Sequence, residues 1–138
     1  MNKKIQQIAI DKKDGIEKSA TTSNLIAVAS SDGKTIHQHF GRTKEFHIVL
    51  INENGYNFVE TRTVEPCCNQ FEHHEQSFDN VLDVLSDCDA IVTGKIGRGA
   101  LEYLSAKGMR VFEITGYADD ILNEFCRNQT QYFPKKDS

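Results

Sequence analysis

The chain has 138 residues and a mass of 15.6 kDa, 38% of it hydrophobic and 26% charged, with a formal net charge of −4. That is one domain's worth of sequence, and so small a negative charge argues against a surface built to coat nucleic-acid phosphates. No apolar run reaches the roughly 20 residues of a membrane helix, the N-terminus lacks a signal-peptide core, and four cysteines are too few for a disulfide scaffold. A cytoplasmic protein with neither nucleic acid nor membrane among its partners is expected.

Residues 1–24 are polar, carry five lysines against three acids, and hold one short apolar patch, Ile8-Ala9-Ile10. They read as a flexible tail, which leaves 11 basic and 17 acidic groups on residues 25–138. The apolar run Leu25 to Ala29, ended by Ser31-Asp32-Gly33, predicts a buried strand. Residues 45–51 and 56–64 are rich in strand formers and are joined by Asn52-Glu53-Asn54-Gly55, where Asn-Gly predicts an antiparallel hairpin. In its second arm Phe58, Glu60 and Arg62 alternate with Val59, Thr61 and Thr63, so one face should meet solvent.

Phe71, Phe78, Val81, Leu82 and Leu85 have helical spacing, which predicts a helix from about residue 70 or 74 to 86, with Asn69 and Glu72 resembling a capping box. Residues 89–94 read as a further buried strand. A glycine-bearing turn leads to an amphipathic helix on Ala100, Leu101 and Leu104 that stops at Gly108. Residues 109–115 form the last expected strand, and Ile121, Leu122 and Phe125 share one face of a closing helix from Ala118 to about Asn128. Residues 134–138 are a charged end. The order β-β-β-α-β-α-β-α predicts an α/β domain over residues 25–133, a mixed five-stranded sheet flanked by helices.

Three segments could carry chemistry. In Ile36-His37-Gln38-His39-Phe40-Gly41-Arg42 an extended backbone would project His37 and His39 to one side, about 6 to 7 Å apart; the plainer alternative is two surface histidines beside a turn. In Pro66-Cys67-Cys68-Asn69-Gln70-Phe71-Glu72-His73-His74 two thiols and two imidazoles fall close together at an expected helix start, the donor types that iron, zinc and copper sites select. Adjacent cysteines suit one compact ion poorly, and the spacing matches no zinc finger, so a polar helix cap with incidental thiols is the alternative. In Thr93-Gly94-Lys95-Ile96-Gly97-Arg98-Gly99 a strand-turn-helix junction with two cations could hold an anion, or could need glycine merely for close packing. Cys88 and Cys126 read as small core residues, and His47 as a satisfied or solvent-facing strand histidine.

Taken together, residues 26–34, the His39-Phe40-Gly41 triplet, residues 90–97 and residues 100–112 resemble the dinitrogenase iron-molybdenum cofactor biosynthesis family, which includes NifX-type carriers and the C-terminal domain of NifB-type proteins. The resemblance covers about residues 25–127. It implies a ribonuclease H-like fold without nuclease chemistry, and a carrier or scaffold for an iron-sulfur or iron-molybdenum-type cluster or its precursor. The family's cluster-contacting histidine falls on His39, and a Pro-Cys-x-x-x-His-like segment falls on Pro66, Cys67 or Cys68, and His73 or His74. Metal ligands are therefore expected at His39, Cys67, Cys68, His73 and His74, with His37, Arg42, Gly97 and Arg98 flanking the guest. Cofactor-assembly proteins are the implied partners. The competing reading is a regulatory or protein-interaction module of the same fold with a structural zinc site or no metal. Nuclease activity would rest on fold analogy alone.

Overall fold

The structure, a computed structural model, describes residues 23–65 and 74–133, the side chains of residues 74–76 excepted. Five strands form the main sheet: β1 (Ser23–Ala29), β3 (Glu45–Asn52), β4 (Gly55–Thr63), β5 (Ala90–Thr93) and β6 (Arg110–Glu113). Two short strands, β2 (Thr35–Ile36) and β7 (Gly116–Tyr117), pair as a separate ribbon. The helices are α1 (His74–Val84), α2 (Arg98–Ala106), α3 (Ala118–Arg127) and α4 (Gln129–Tyr132), with a 3-10 turn at Phe40–Arg42. The expected order of main-sheet strands and helices is the observed one. The ribbon, the 3-10 turn and α4 are additions, and β1 pairs from Ser23 onward, so the sheet starts two residues before the expected boundary at Leu25.

The strand order is β4-β3-β1-β5-β6. β3 runs antiparallel to both β1 and β4, whereas β5 runs parallel to β1 and β6 parallel to β5. The hairpin forms where Asn54-Gly55 stands, with Gly55 at φ 138°, a region that L side chains rarely enter. The continuous apolar runs of β1 and β5 are explained by burial on both faces. Leu25, Ala27 and Ala29 pack with Phe46, Ile48, Phe78, Val81, Leu85 and Leu104 under α1 and α2. Ile26 and Val28 pack with Val49, Ile51, Ala90, Val92, Leu122 and Phe125 under α3 and α4. Each fully buried Val, Leu, Ile or Phe side chain among them is worth about 1.5–3 kcal/mol relative to exposure. On the outer strand β4 only Val59, among the alternating residues beyond Tyr56, packs on the first cluster, while Phe58 is 46% exposed.

These directions fix where a site can lie. β1, β4, β5 and β6 run the same way, so Ala29, Thr63, Thr93 and Glu113 end at one edge of the sheet. From β1 the chain first builds outward to β3 and β4 and then resumes on the other side with β5. The crevice beyond the carboxyl ends of β1 and β5 is thus a switch point, where open α/β sheets bind ligands.

Candidate functional site

The segment carrying His37 and His39 crosses that edge. It leaves β1 through a turn in which the Asp32 carboxylate accepts the N–H groups of Thr35 (2.9 Å) and Lys34 (2.8 Å), while the Ser30 hydroxyl accepts from Gly33 (2.9 Å). The two backbone donors hold the Asp32 carboxyl well below the usual carboxylate range. After β2 the backbone lies beside the end of β5. The Gln38 carbonyl accepts from the Gly94 N–H (3.1 Å) and the Thr93 hydroxyl (3.2 Å), Phe40 donates to the Lys95 carbonyl (2.8 Å), and His39 pairs with Lys95 in a parallel bridge.

Phe40 then turns inward and is buried against Phe46 and Phe78, with ring centroids 6.2 and 6.3 Å away. The His39 carbonyl takes the Arg42 N–H (3.0 Å) and the hydroxyl of buried Thr43 (2.9 Å). Bonded on one side to β5 and plugged on the other by Phe40, His39 has little backbone freedom, yet its side chain is exposed. His37 is exposed too, its Nδ1 3.2 Å from the Thr35 hydroxyl. Arg42 is exposed at the end of the 3-10 turn.

The glycine-bearing junction after β5 reaches the same edge. A Cβ on Gly94 would sit 2.6 Å from the carbonyl carbon and Cα of His37, so glycine is required there for the two backbones to meet. Gly97, the residue capping α2, faces open space, and its φ of −73° suits any residue. Close packing therefore explains the first glycine of the junction but not Gly97. Ile96 donates its N–H to Glu113 Oε2 (2.9 Å), and Arg98 opens α2 as an exposed cation. Of the residues singled out in the sequence, His37, His39, Arg42, Gly97 and Arg98 thus lie on two segments that the His39–Lys95 bridge joins. Thr43 and Gln38 were not singled out for this positioning, whereas close packing was one of the two expectations for the junction that holds Gly94. The signal for Gly94 was its place directly after a strand end; a long-range bond such as Thr93 to Gln38 leaves no sequence signal.

Cys67, Cys68 and His73 lie outside the described residues, as do the Asn69 and Glu72 of the expected helix cap. His74 opens α1, but its side chain also lies outside them. The described residues on either side can be placed: Val64 donates its N–H to the Lys44 carbonyl (2.8 Å), just past the 3-10 turn, and Phe78 of α1 packs on Phe40. Among the described residues no group of three or more His, Cys, Asp and Glu side chains could hold a metal ion. Cys88 and Cys126 are buried free thiols. Burial, then the neighbouring Asp87 charge, pushes Cys88 up to about 12, and burial raises Cys126 as well, so both thiols stay protonated core groups. His47 is satisfied, with Nε2 3.0 Å from the Ser30 carbonyl and Nδ1 3.3 Å from the Thr61 hydroxyl. Among the described residues no helix is long and apolar enough to cross a membrane.

Comparison with known proteins adds to this geometry. A family profile described as dinitrogenase iron-molybdenum cofactor matches residues 23–128. The FeMo cofactor biosynthesis protein NifB of Frankia alni is 33% identical over 103 residues, 72% of this chain and 20% of that protein. The protein of the same name from Rhizobium meliloti is 33% identical over 95 residues, 69% of this chain and 19% of that one. The chain thus spans about a fifth of the length of these relatives. Among solved structures, PH0822 superposes with a TM-score of 0.53 at 28% identity, covering 74% of this chain and 88% of that one. A crystal structure from Methanocaldococcus jannaschii gives a TM-score of 0.53 at 18% identity, covering 78% and 91%, a likeness of fold alone.

Proposed function

The chain belongs to the dinitrogenase iron-molybdenum cofactor family, and from that premise we propose that it is a non-enzymatic, cytoplasmic carrier or scaffold for an iron-sulfur or iron-molybdenum-type cluster, or a precursor of one. The family's work in FeMo cofactor biosynthesis gives the metallocluster context. One observation carries the local assignment. The His39 backbone is fixed between β5 and the core while its imidazole is exposed at the switch point of the sheet.

A carrier needs an attachment that holds its cargo in one place and still lets go. A single imidazole on a rigid rim supplies this: it donates one nitrogen lone pair to an iron, and the backbone that carries it costs little entropy on binding because the segment is already ordered. A thiolate from Cys67 or Cys68, or an imidazole from His73 or His74, would be an accessory ligand. His37, Arg42, Gly97 and Arg98 flank the guest on the two bridged segments. Few protein ligands leave the remaining cluster positions open to the assembly protein that receives it. We also assign the domain to the ribonuclease H-like class; the order β4-β3-β1-β5-β6 with one antiparallel inner strand supports this.

Anaerobic reconstitution with iron and sulfide tests the reading. The expected result is visible charge-transfer absorption with bound iron and labile sulfide, weakened in His39→Ala and, to a smaller extent, in the double variant Cys67→Ala, Cys68→Ala. Wild type and variants that all stay colourless would overturn it. One equivalent of colourless zinc would favour a structural metal site, and no metal at all a protein-interaction module.

A further inference from the structure

Lys95 stands directly across a parallel bridge from His39. Adjacent backbones in such a pair lie about 4.8 Å apart, and the side chains of bridged partners leave on the same face. Both residues are exposed. The ion pairs among the described residues join Arg62 to Glu60 and Asp87, and Arg127 to Glu124; none involves Lys95, Arg42 or Arg98. The acid with a bond to this turn is Glu113, whose carboxylate accepts the N–H of Ile96, the residue after Lys95. On a body that carries 17 acids against 11 bases over residues 25–138, Lys95, Arg42 and Arg98 are thus exposed cations on the two bridged segments that hold His39, with Glu113 bonded to the turn beside Lys95.

From this juxtaposition we propose that Lys95 is the specificity-determining residue of the His39 site, selecting an anionic, sulfide-bearing metal guest over a bare metal cation. The proposal rests on the reading of His39 as the cargo ligand. The imidazole provides the donor atom and is indifferent to the guest's overall charge. The ammonium attracts a polyanion and repels a free divalent ion at the same position, and Glu113 acts in the opposite sense. Lys95 precedes α2 and is placed by its strand-like pairing with the 37–40 segment, not by the helix start.

Tetrathiomolybdate, a coloured sulfide-ligated dianion, is a suitable probe, titrated anaerobically into the full chain at low ionic strength and read by its shifted visible absorption. Wild type should bind it. Lys95→Gln should lose about fivefold in affinity, the effect of roughly 1 kcal/mol at an exposed charge, and Lys95→Arg should stay close to wild type. Glu113→Gln, which keeps an acceptor for the Ile96 N–H but removes the charge, should bind more tightly. Both differences should fade as salt is raised. Circular dichroism melting of each variant distinguishes loss of charge from loss of fold. Equal binding by wild type, Lys95→Gln and Glu113→Gln at low salt overturns the proposal. So does a wild-type chain that fails to bind the dianion. In either case the iron-sulfide reconstitution with His39→Ala decides independently whether His39 is a ligand.

Discussion

A methyl group on Gly94 would press against the backbone of His37 at 2.6 Å, and backbone cannot swing aside as the end of a flexible side chain can. Gly94→Ala must therefore part the 37–40 segment from β5, lengthening the Gly94 to Gln38 bond and the Phe40 to Lys95 bond that flank the His39 bridge. The expected cost is about 1–3 kcal/mol, the range for overpacked sites, measured by urea unfolding. Because the imidazole itself is untouched, a drop in iron-sulfide absorption per folded molecule would report misplacement of His39 rather than its loss. Gly97→Ala is the control: its Cβ meets open space at an ordinary φ, so stability should change by less than about 1 kcal/mol. If the two variants are equally stable, the close approach at Gly94 does not constrain the site.

At the scale of elements, the link between α1 and β5 shows how a connection can be fixed by polar groups around a buried thiol. Arg62 of β4 donates to the Val84 carbonyl (2.9 Å) at the end of α1 and to Asp87 (2.7 Å), and Asp89 accepts the Leu25 N–H (2.7 Å). Cys88 between them is buried, and its thiol, ordinarily near 9, is pushed up to about 12 by burial first and then by Asp87. Well below pH 9 the thiol is protonated in both folded and unfolded chains and contributes no pH dependence. As pH rises from about 9 to 12 the unfolded chain ionises and the folded one resists, so stability is lost in that window. Tyr56, raised from 10 to about 12 by burial and by its bond to Asp119, adds to the same alkaline loss. Cys88→Ala should start about 1 kcal/mol less stable at neutral pH but fall less steeply between pH 9 and 12 in urea titrations. Parallel alkaline profiles for wild type and variant would show that this thiol is not the group titrating.

The same scale shows what could be read in advance. Elements with a strong period or an unbroken apolar run were legible: β1, the β3–β4 hairpin with its Asn-Gly turn, and α3, whose Leu122 and Phe125 are buried as their spacing implies. The β2–β7 ribbon was not, because two-residue strands carry no period and Gly116-Tyr117 finds Thr35-Ile36 only through the tertiary fold. The site was legible as pieces. His39 and the junction at residues 93–99 each stood out by composition, but the backbone bridge that joins them, His39 to Lys95, spans 56 residues and is set by the switch in strand order. Cys67, Cys68 and His73 lie outside the described residues, and reconstitution of the double cysteine variant is the experiment that bears on the two thiols.

For the whole molecule, the sheet's two apolar faces are one structural unit because the same strands build both. Along β1, Leu25, Ala27 and Ala29 enter the core under α1 and α2, while Ile26 and Val28 enter the core under α3 and α4; in β5, Ile91 and its neighbours Ala90 and Val92 divide in the same way. Neither face can lose its strands without exposing the other, which predicts a single cooperative transition. Leu104, fully buried on the first face, and Phe125, 1% exposed on the second and ringed by Phe112, Tyr132 and Phe133, are the test positions. Leu104→Ala should cost about 2–5 kcal/mol and Phe125→Ala about 3–5 kcal/mol. With the sheet between them, their effects should add to within about 0.5 kcal/mol. Each should move one urea transition that coincides by far-ultraviolet circular dichroism and by tyrosine fluorescence, the chain having no tryptophan. A substitution on one face that splits the transition, leaving the other face's aromatic signal at its original midpoint, would show two separately folding layers. The rim at the carboxyl ends of β1 and β5, which both layers hold in place, would then lose the rigidity that lets His39 present its imidazole alone.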